Sequence, residues 1–351
     1  MKRQSAFVTY MGQRWAIVFL VLEFIFFSIL GRGFLTLNGV QIVLFYGTTL
    51  ALLAAGETFV IVSGGIDLSV GFVMGFATIV SAKLVAAFSR MGLSPGLSIA
   101  LGVAITLAIG VGPGFVNGFL VGHLKVPPFL ATFSVQGITY GIALLLAGGA
   151  GAAKDVPILA NLIGNGYLLY WVRGQGLSFF IRPEVARGTR VVEMIPTMVV
   201  VTVLFIAVGA YLLKRTRFGR YTYAIGGNID AAIRSGINTK RHLTLVYIIS
   251  SLFATLAGII YMLEYVTGKA DAGASFLLDS IVAVVIGGAS LYGGIGTVWK
   301  TMLGCLILSV LEMGLRMMGV PTFDKFIAVG LILIFAVLID QFFPELIHKE
   351  D

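Results

Sequence analysis

Ten apolar runs, each close to the length of a bilayer-crossing helix, constrain this chain more than any other feature. A helix needs about 20 predominantly apolar residues to cross the hydrocarbon core. Runs of that kind lie at roughly 15–31, 40–62, 69–89, 96–121, 127–148, 195–213, 243–265, 276–291, 297–317 and 323–343. Hydrophobic residues make up 58% of the 351 and charged ones only 11%, against about 25% charged in a soluble domain. That balance excludes a soluble enzyme, a nucleic-acid binder and a disordered tail as descriptions of the whole chain. The expectation is an all-α polytopic membrane protein, one transmembrane domain over 1–351 with about ten transmembrane helices. The basic segment 1–14 leads into the first run with no small-residue cleavage site, which predicts a retained span rather than a removed signal peptide.

Basic residues set the direction. Placing the N-terminus in the cytoplasm puts Lys2, Arg3, Arg14, Lys125, Lys214, Arg215, Arg217, Arg220, Arg234, Lys240, Arg241, Lys300 and Lys349 inside, thirteen of the 24 lysines and arginines. The short outer turns hold only Arg32, Arg90, Lys269, Arg316 and Lys325. Five more lie in the long outer segment 150–194, which counts for little because long loops translocate largely regardless of charge. An even number of spans and this asymmetry both predict cytoplasmic termini. Within the loop 214–242, residues 214–241 carry seven basic residues and one acid, Asp230, a net +6 of the chain's +8. In that loop Asn228 suits a helix start, Asp230 stands four residues before Arg234 for helical pairing, and Gly236 stands where a helix end favours glycine. A two-turn cytoplasmic helix over 228–236 follows, too short to be stable alone and therefore packed against something.

Glycine is 45 of the 351 residues, nearly double the usual ~7%, and its placement predicts close packing and broken helices. The segment Ser63-Gly64-Gly65-Ile66-Asp67-Leu68-Ser69 separates the second and third runs, with Asp67 or Ser69 available to cap the next helix. It reads either as a plain cytoplasmic turn or as a gate beside a path, since irregular backbone at membrane depth must be buried in protein or line a water-filled cavity. A second break, Gly287-Gly288-Ala289-Ser290 through Gly296, repeats the theme in the C-terminal half, and paired breaks of this kind point to a transport path. Candidate path residues are thus Gly64, Gly65, Asp67, Ser69, Gly287, Gly288 and Ser290. Gly110, Gly114, Gly118 and Gly122 form a ladder that admits another helix; Asn117 on the neighbouring face is either packed there or a polar contact in the path. Pro127-Pro128 sets the start of the fifth span.

Intramembrane acids are costly and functional by default. Of Glu23, Glu57, Asp67, Glu264, Asp279, Glu312 and Asp324, most fall near predicted span ends, where they can reach the interface; Glu57 is the least easily excused. The lone Cys305 and the scattered His123, His242 and His348 share no ligand spacing, so no metal site is expected. No Gly-Lys-Ser/Thr phosphate cradle occurs, so ATP is not expected to bind this chain by that device. In the outer segment 150–194, Tyr167-Leu168-Leu169-Tyr170-Trp171-Val172 is too short to span and predicts a partly structured cap, serving as linkage or as contact with an external partner.

Five stretches resemble the permease subunit of ATP-binding-cassette importers for ribose and related monosaccharides: VIVSGGIDLSVG (60–71), VNGFLVGHLKVPPFLATF (116–133), TRFGRYTYAIGGNIDAAIRSGIN (216–238), SSLFATLAGII (250–260) and LDSIVAVVIGGASLYGGIGT (278–297). The resemblance implies the fold of the type II, vitamin-B12-type importers and a multi-pass location in a prokaryotic inner or plasma membrane. It implies cytoplasmic ATPase subunits that hold the ATP and magnesium, a second permease copy or paralogue, and an extracytoplasmic sugar-binding protein. This chain itself is expected to hold no cofactor and no nucleic acid and to catalyse no reaction; lipid surrounds it. By position, the resemblance makes Asn228, Asp230, Ala231, Ala232, Arg234, Ser235, Gly236 and Ile237 the coupling helix that seats in a groove of the ATPase, and puts Gly64, Gly65, Asp67 and Ser69 near the inner end of the path. Glu57 and the length of 150–194 depart from the family's pattern. Beside this importer stands a second class, an ion-coupled secondary transporter of a small polar solute, to which Glu57 and the broken helices belong equally well.

Overall fold

The computed structural model describes residues 6–321 except 173, 175, 181 and 186–190, and beyond them only 323, 324, 326, 327, 330, 331 and 334. Side chains are described from residue 16 onward. Among the described residues, seven helices are long and apolar enough to cross a membrane: α2 (Leu37–Val62), α3 (Val70–Arg90), α4 (Pro95–Gly122), α5 (Pro128–Leu146), α7 (Thr197–Arg215), α10 (Thr239–Tyr265) and α12 (Val298–Met317). Two more apolar helices match expected spans: α1 (Ala6–Leu30) and the short α11 (Ala274–Ile286). The tenth expected span, 323–343, lies largely outside the described residues. The chain is a mostly helical polytopic membrane protein. It divides into two compact units, 1–65 with 209–239 and 278–351, and 66–208 with 240–277.

In the second of these units α3 is the central element, buried along most of its length and packed on α4 and α5. The glycine ladder of α4 meets α10: a methyl at Gly110 would strike Thr255, at Gly114 the backbone around Tyr247 and Ile248, at Gly118 Thr244, and at Gly122 Lys240. Four small residues on one face bring two backbones into contact, the packing mode that lipid favours. In the same unit β1 (Ala152–Ala153) pairs antiparallel with β5 (Gly268–Lys269), and a short helix α6 (Leu159–Gly164) follows β1. The segment 167–196 forms a three-stranded sheet of β2 (Tyr167–Val172), β3 (Gly176–Phe179) and β4 (Val191–Pro196), ordered β3-β2-β4. The all-α expectation therefore needs a correction here. The aromatic run at 167–172 alternates, with Tyr170 and Val172 buried and Trp171 exposed, which is the period of a strand.

In the other unit α2 lies along α12, and α1 packs on α12 as well. Phe27, Phe34, Val43, Val310 and Met313 form its apolar cluster, and Phe27 lies against Gly314 where no side chain would fit. The hydroxyls of Thr58 and Thr301 are 2.9 Å apart. Gly304 and Gly287 rest on backbone at Ala283 and at Lys300–Thr301, holding α11 close to α12. Two short helices, α8 (Arg217–Gly227) and α9 (Ile229–Arg234), complete it. The acids also depart from expectation. Glu23, Asp67 and Asp279, expected near water, are buried in protein, as is Glu57, for which no such access was expected; the Tyr46 hydroxyl donates to Asp279 at 3.2 Å.

Candidate functional site

Two constructions stand out, each inside one unit, and both start from the break after α2. The first surrounds Asp67, which is 1% exposed. Its Oδ1 accepts from the Ser69 backbone N–H at 2.9 Å and from the Ser69 hydroxyl at 2.6 Å. Its Oδ2 accepts from the Ser250 hydroxyl on α10 at 2.9 Å. Asn117 Nδ2 on α4 donates to Ser69 Oγ at 2.8 Å, and the Thr132 hydroxyl on α5 reaches the Ile66 carbonyl at 3.3 Å. Ser69 occupies the N-cap position of α3 without capping it through its side chain; its hydroxyl serves the carboxylate instead. The loop between α2 and α3 is thereby tied to α4, α5 and α10. A buried carboxylate is tolerated when hydrogen-bond donors converge on it, and here three do.

The second construction is made of backbone. Gly64, at φ +84°, ends the helix whose C-cap is Ser63. Gly293 and Gly294, at φ +89° and +77°, form the second break, whose Ser290 N–H donates to the Ile295 carbonyl at 3.1 Å. Gly294 N–H donates to the Val62 carbonyl at 2.9 Å. Gly226, near the end of α8, sits between them: a methyl there would strike the Val62 carbonyl and the Gly294 nitrogen. A methyl on Gly293 would strike Gly64 and the Gly226 carbonyl. The Tyr223 hydroxyl donates to the Gly296 carbonyl at 2.6 Å. Three chain breaks thus meet with almost no side chain between them, which only glycine permits.

From this junction α9 projects directly. Asn228 Oδ1 accepts from Ala231 N–H at 2.9 Å, closing the N-terminus. At the other end Gly236, at φ +81°, and Ile237 donate to the Ile233 and Ala232 carbonyls, the paired bonds of a Schellman stop. Among the described residues no Asp230–Arg234 ion pair forms, so the caps rather than that pair define the helix. Ala232 faces inward, while Ile229 and Ile233, one turn apart, are 38% and 49% exposed. This six-residue helix thus carries an exposed apolar ridge, with Arg234 and Ser235 beside it.

The structure brings Asp67, Ser69 and Asn117 together in one network, and Gly64 together with the second break in one junction. Gly287 and Gly288 open that break, Gly287 against α12 and Gly288 at φ +84°. Glu57 is fully buried within α2. Ser250 and Gly226 are among the participants missed in the sequence. Both lie in stretches already singled out, SSLFATLAGII and the loop before Asn228. A serine pair in an otherwise apolar span is the signal that could have found Ser250.

Residues 39–339 match the family described as branched-chain amino acid transport system / permease component. The ribose import permease protein of Bacillus subtilis (strain 168) is 36% identical over 290 residues, 83% of this chain and 80% of that protein. The ribose import permease protein of Escherichia coli (strain K12) is 34% identical over 342 residues, 94% of each. The fructose import permease protein of Rhizobium meliloti is 33% identical over 328 residues, 93% of this chain and 84% of that protein. No solved structure matches.

Proposed function

The chain belongs to the permease-component family of the branched-chain amino acid transport type, and from that premise we propose that it is the translocating subunit of an ATP-binding-cassette importer for a monosaccharide. The observation that carries the sugar is the set of relatives named as ribose and fructose import permeases, matched over most of both chains. In this reading the chain is not an enzyme. ATP and magnesium belong to cytoplasmic ATPase subunits, a second permease copy or paralogue completes the path, and an extracytoplasmic binding protein delivers the sugar. The whole chain acts as one transmembrane permease domain with ten spans, cytoplasmic termini and the type II importer fold.

The coupling helix is Asn228, Asp230, Ala231, Ala232, Arg234, Ser235, Gly236 and Ile237, with Ile229 and Ile233 as the ridge that enters the ATPase. Its motion reaches the junction of Gly64, Gly226 and Gly293 with no flexible linker between, because Gly226 is two residues from the cap Asn228. Gly64, Gly65, Gly287, Gly288 and Ser290 act at the gate, and Asp67, Ser69 and Asn117 hold the inner turn in shape. A ligand-driven change of state requires differential contact with the two states, and a backbone junction that either fits or collides supplies it.

The test is reconstitution of the chain with its ATPase in proteoliposomes, adding candidate liganded sugar-binding proteins one at a time. The expected result is ATP-dependent uptake of one monosaccharide, with ATPase stimulation by its binding protein. Uptake driven by a proton or sodium gradient without ATP would establish the ion-coupled class instead.

A further inference from the structure

A cleft of about 310 Å³ opens beside β1 and β5 in the unit built on α3, at the end of α5 and the connection after α10. Tyr140, Leu144, Thr267, Lys269 and Asp271 line it, with residues 150–152 at the start of β1 as one wall. None of these residues belongs to the network or the junction described above. Resting on the importer reading, we propose that this cleft is a receiving site for a single monosaccharide on the extracytoplasmic side of the permease itself.

Four observations carry the proposal. The size sits at the lower end of the ~300–1,000 Å³ range of small-molecule sites, which suits one sugar ring rather than a peptide. The walls are fixed in place: Thr78 of α3 donates to the Lys269 carbonyl and accepts from the Lys269 N–H, both at 2.8 Å. Ala270 N–H donates to the Gly151 carbonyl at 2.9 Å, and Gly75 meets Ala270 backbone to backbone. The chemistry is that of a polyol site. Lys269 Nζ and Asp271 Oδ1 lie 3.4 Å apart, with side chains 52% and 49% exposed. They neutralise one another, yet an ammonium has three donors and a carboxylate about four acceptor positions, so each keeps capacity for hydroxyl groups. Because the pair is neutral overall, a free amino acid, with a full carboxylate and ammonium of its own, meets no unopposed charge there. Finally, Tyr140 is fixed edge to face on Phe72, with ring centroids 5.1 Å apart, and a fixed aromatic ring offers the C–H face of a sugar a flat apolar surface. From Thr78 at the cleft to Ser69 in the Asp67 network α3 runs nine residues, about 14 Å of helix, so an occupant rests on the same rigid rod as the inner turn.

The test uses Ala150→Cys in the full chain, because Ala150 is exposed at the cleft and the native Cys305 is buried. Right-side-out membrane vesicles carrying the chain and its ATPase, without binding protein, are labelled with a membrane-impermeant maleimide. D-ribose, D-fructose, D-xylose and L-leucine are added separately, and uptake by the complete importer is measured in parallel. The expected result is labelling that is slowed by the transported monosaccharide and not by L-leucine. Asp271→Asn and Lys269→Gln, both at half-exposed positions, abolish that protection without changing the labelling rate in the absence of sugar. If a monosaccharide is taken up and none protects, or if the thiol introduced by Ala150→Cys is not labelled from outside, the cleft assignment is overturned while the importer reading stands. If L-leucine alone is taken up, both are overturned.

Discussion

The junction at Gly64 and the network at Asp67 begin three residues apart in sequence and are built on opposite principles. The junction is held by shape: Gly226, Gly293 and Gly64 touch through backbone, and a single methyl is enough to force them apart. The network is held by hydrogen bonds from Ser69 and Ser250 to one buried carboxylate. A steric contact has no graded response, because it fits or collides, whereas a hydrogen-bonded carboxylate loses stability step by step as its donors are removed. The break after α2 thus borders one element held by close backbone fit and another held by hydrogen bonds.

The largest expected effect breaks the steric side. Gly226→Val drives a branched side chain into the Val62 carbonyl and the Gly294 nitrogen, an overpacking cost of about 3 kcal/mol. Thermal unfolding of the purified chain in detergent should show a large drop in midpoint, or the variant should fail to accumulate in the membrane. A wild-type melt would mean that the junction is not close-packed. Next comes the electrostatic side. Asp67→Ala strands the Ser250 hydroxyl in a buried site and removes the acceptor of Ser69, costing about 2 kcal/mol. Asp67→Asn, which keeps the shape, should cost less. An equal loss from both variants would show that volume, not hydrogen bonding, matters there.

The third effect is local. Gly236 stands at φ +81°, where a side chain costs about 1–2 kcal/mol and a β-branched one fits worst. Gly236→Val should deform the stop of α9 and, with Asp230→Lys as an independent variant, separate ATP hydrolysis from uptake while the global melt stays close to wild type. Normal coupled transport by both variants would remove α9 from the coupling role.

Much of this arrangement was legible in the sequence because it is local. Span positions follow from apolar runs, the start and stop of α9 from Asn228 and Gly236, and the α4 ladder from a four-residue glycine period. What was not legible depends on which distant segments meet. Ser250 lies 183 residues from the carboxylate it serves, and no periodicity in α10 marks one serine as its partner. Nothing in the loop before Asn228 marks Gly226, and only its placement between Val62 and Gly294 shows why a side chain is excluded. The sheet at 167–196 was obscured for another reason: a six-residue aromatic run shows too few periods to separate a strand from an interfacial segment. The burial of Glu23 and Asp279 was missed because closeness to a span end was taken as access to water.

The smallest effects sharpen the comparison most. Ser250→Ala and Tyr223→Phe each delete one hydroxyl, from the network and the junction respectively, and each should cost about 1 kcal/mol. Their partners differ. Ser250 donates to a carboxylate that shares its charge among several donors, so its removal should be coupled to Asp67→Asn, with an interaction energy of roughly 0.5–3 kcal/mol in a double-mutant cycle. Tyr223 donates to the carbonyl of Gly296, beside a contact that glycine backbone already holds by shape, so Tyr223→Phe should lower the melt slightly and leave the ratio of ATP hydrolysed to sugar imported unchanged. A changed ratio with an unchanged melt would mean that the junction transmits through that hydroxyl as well as through close backbone contact.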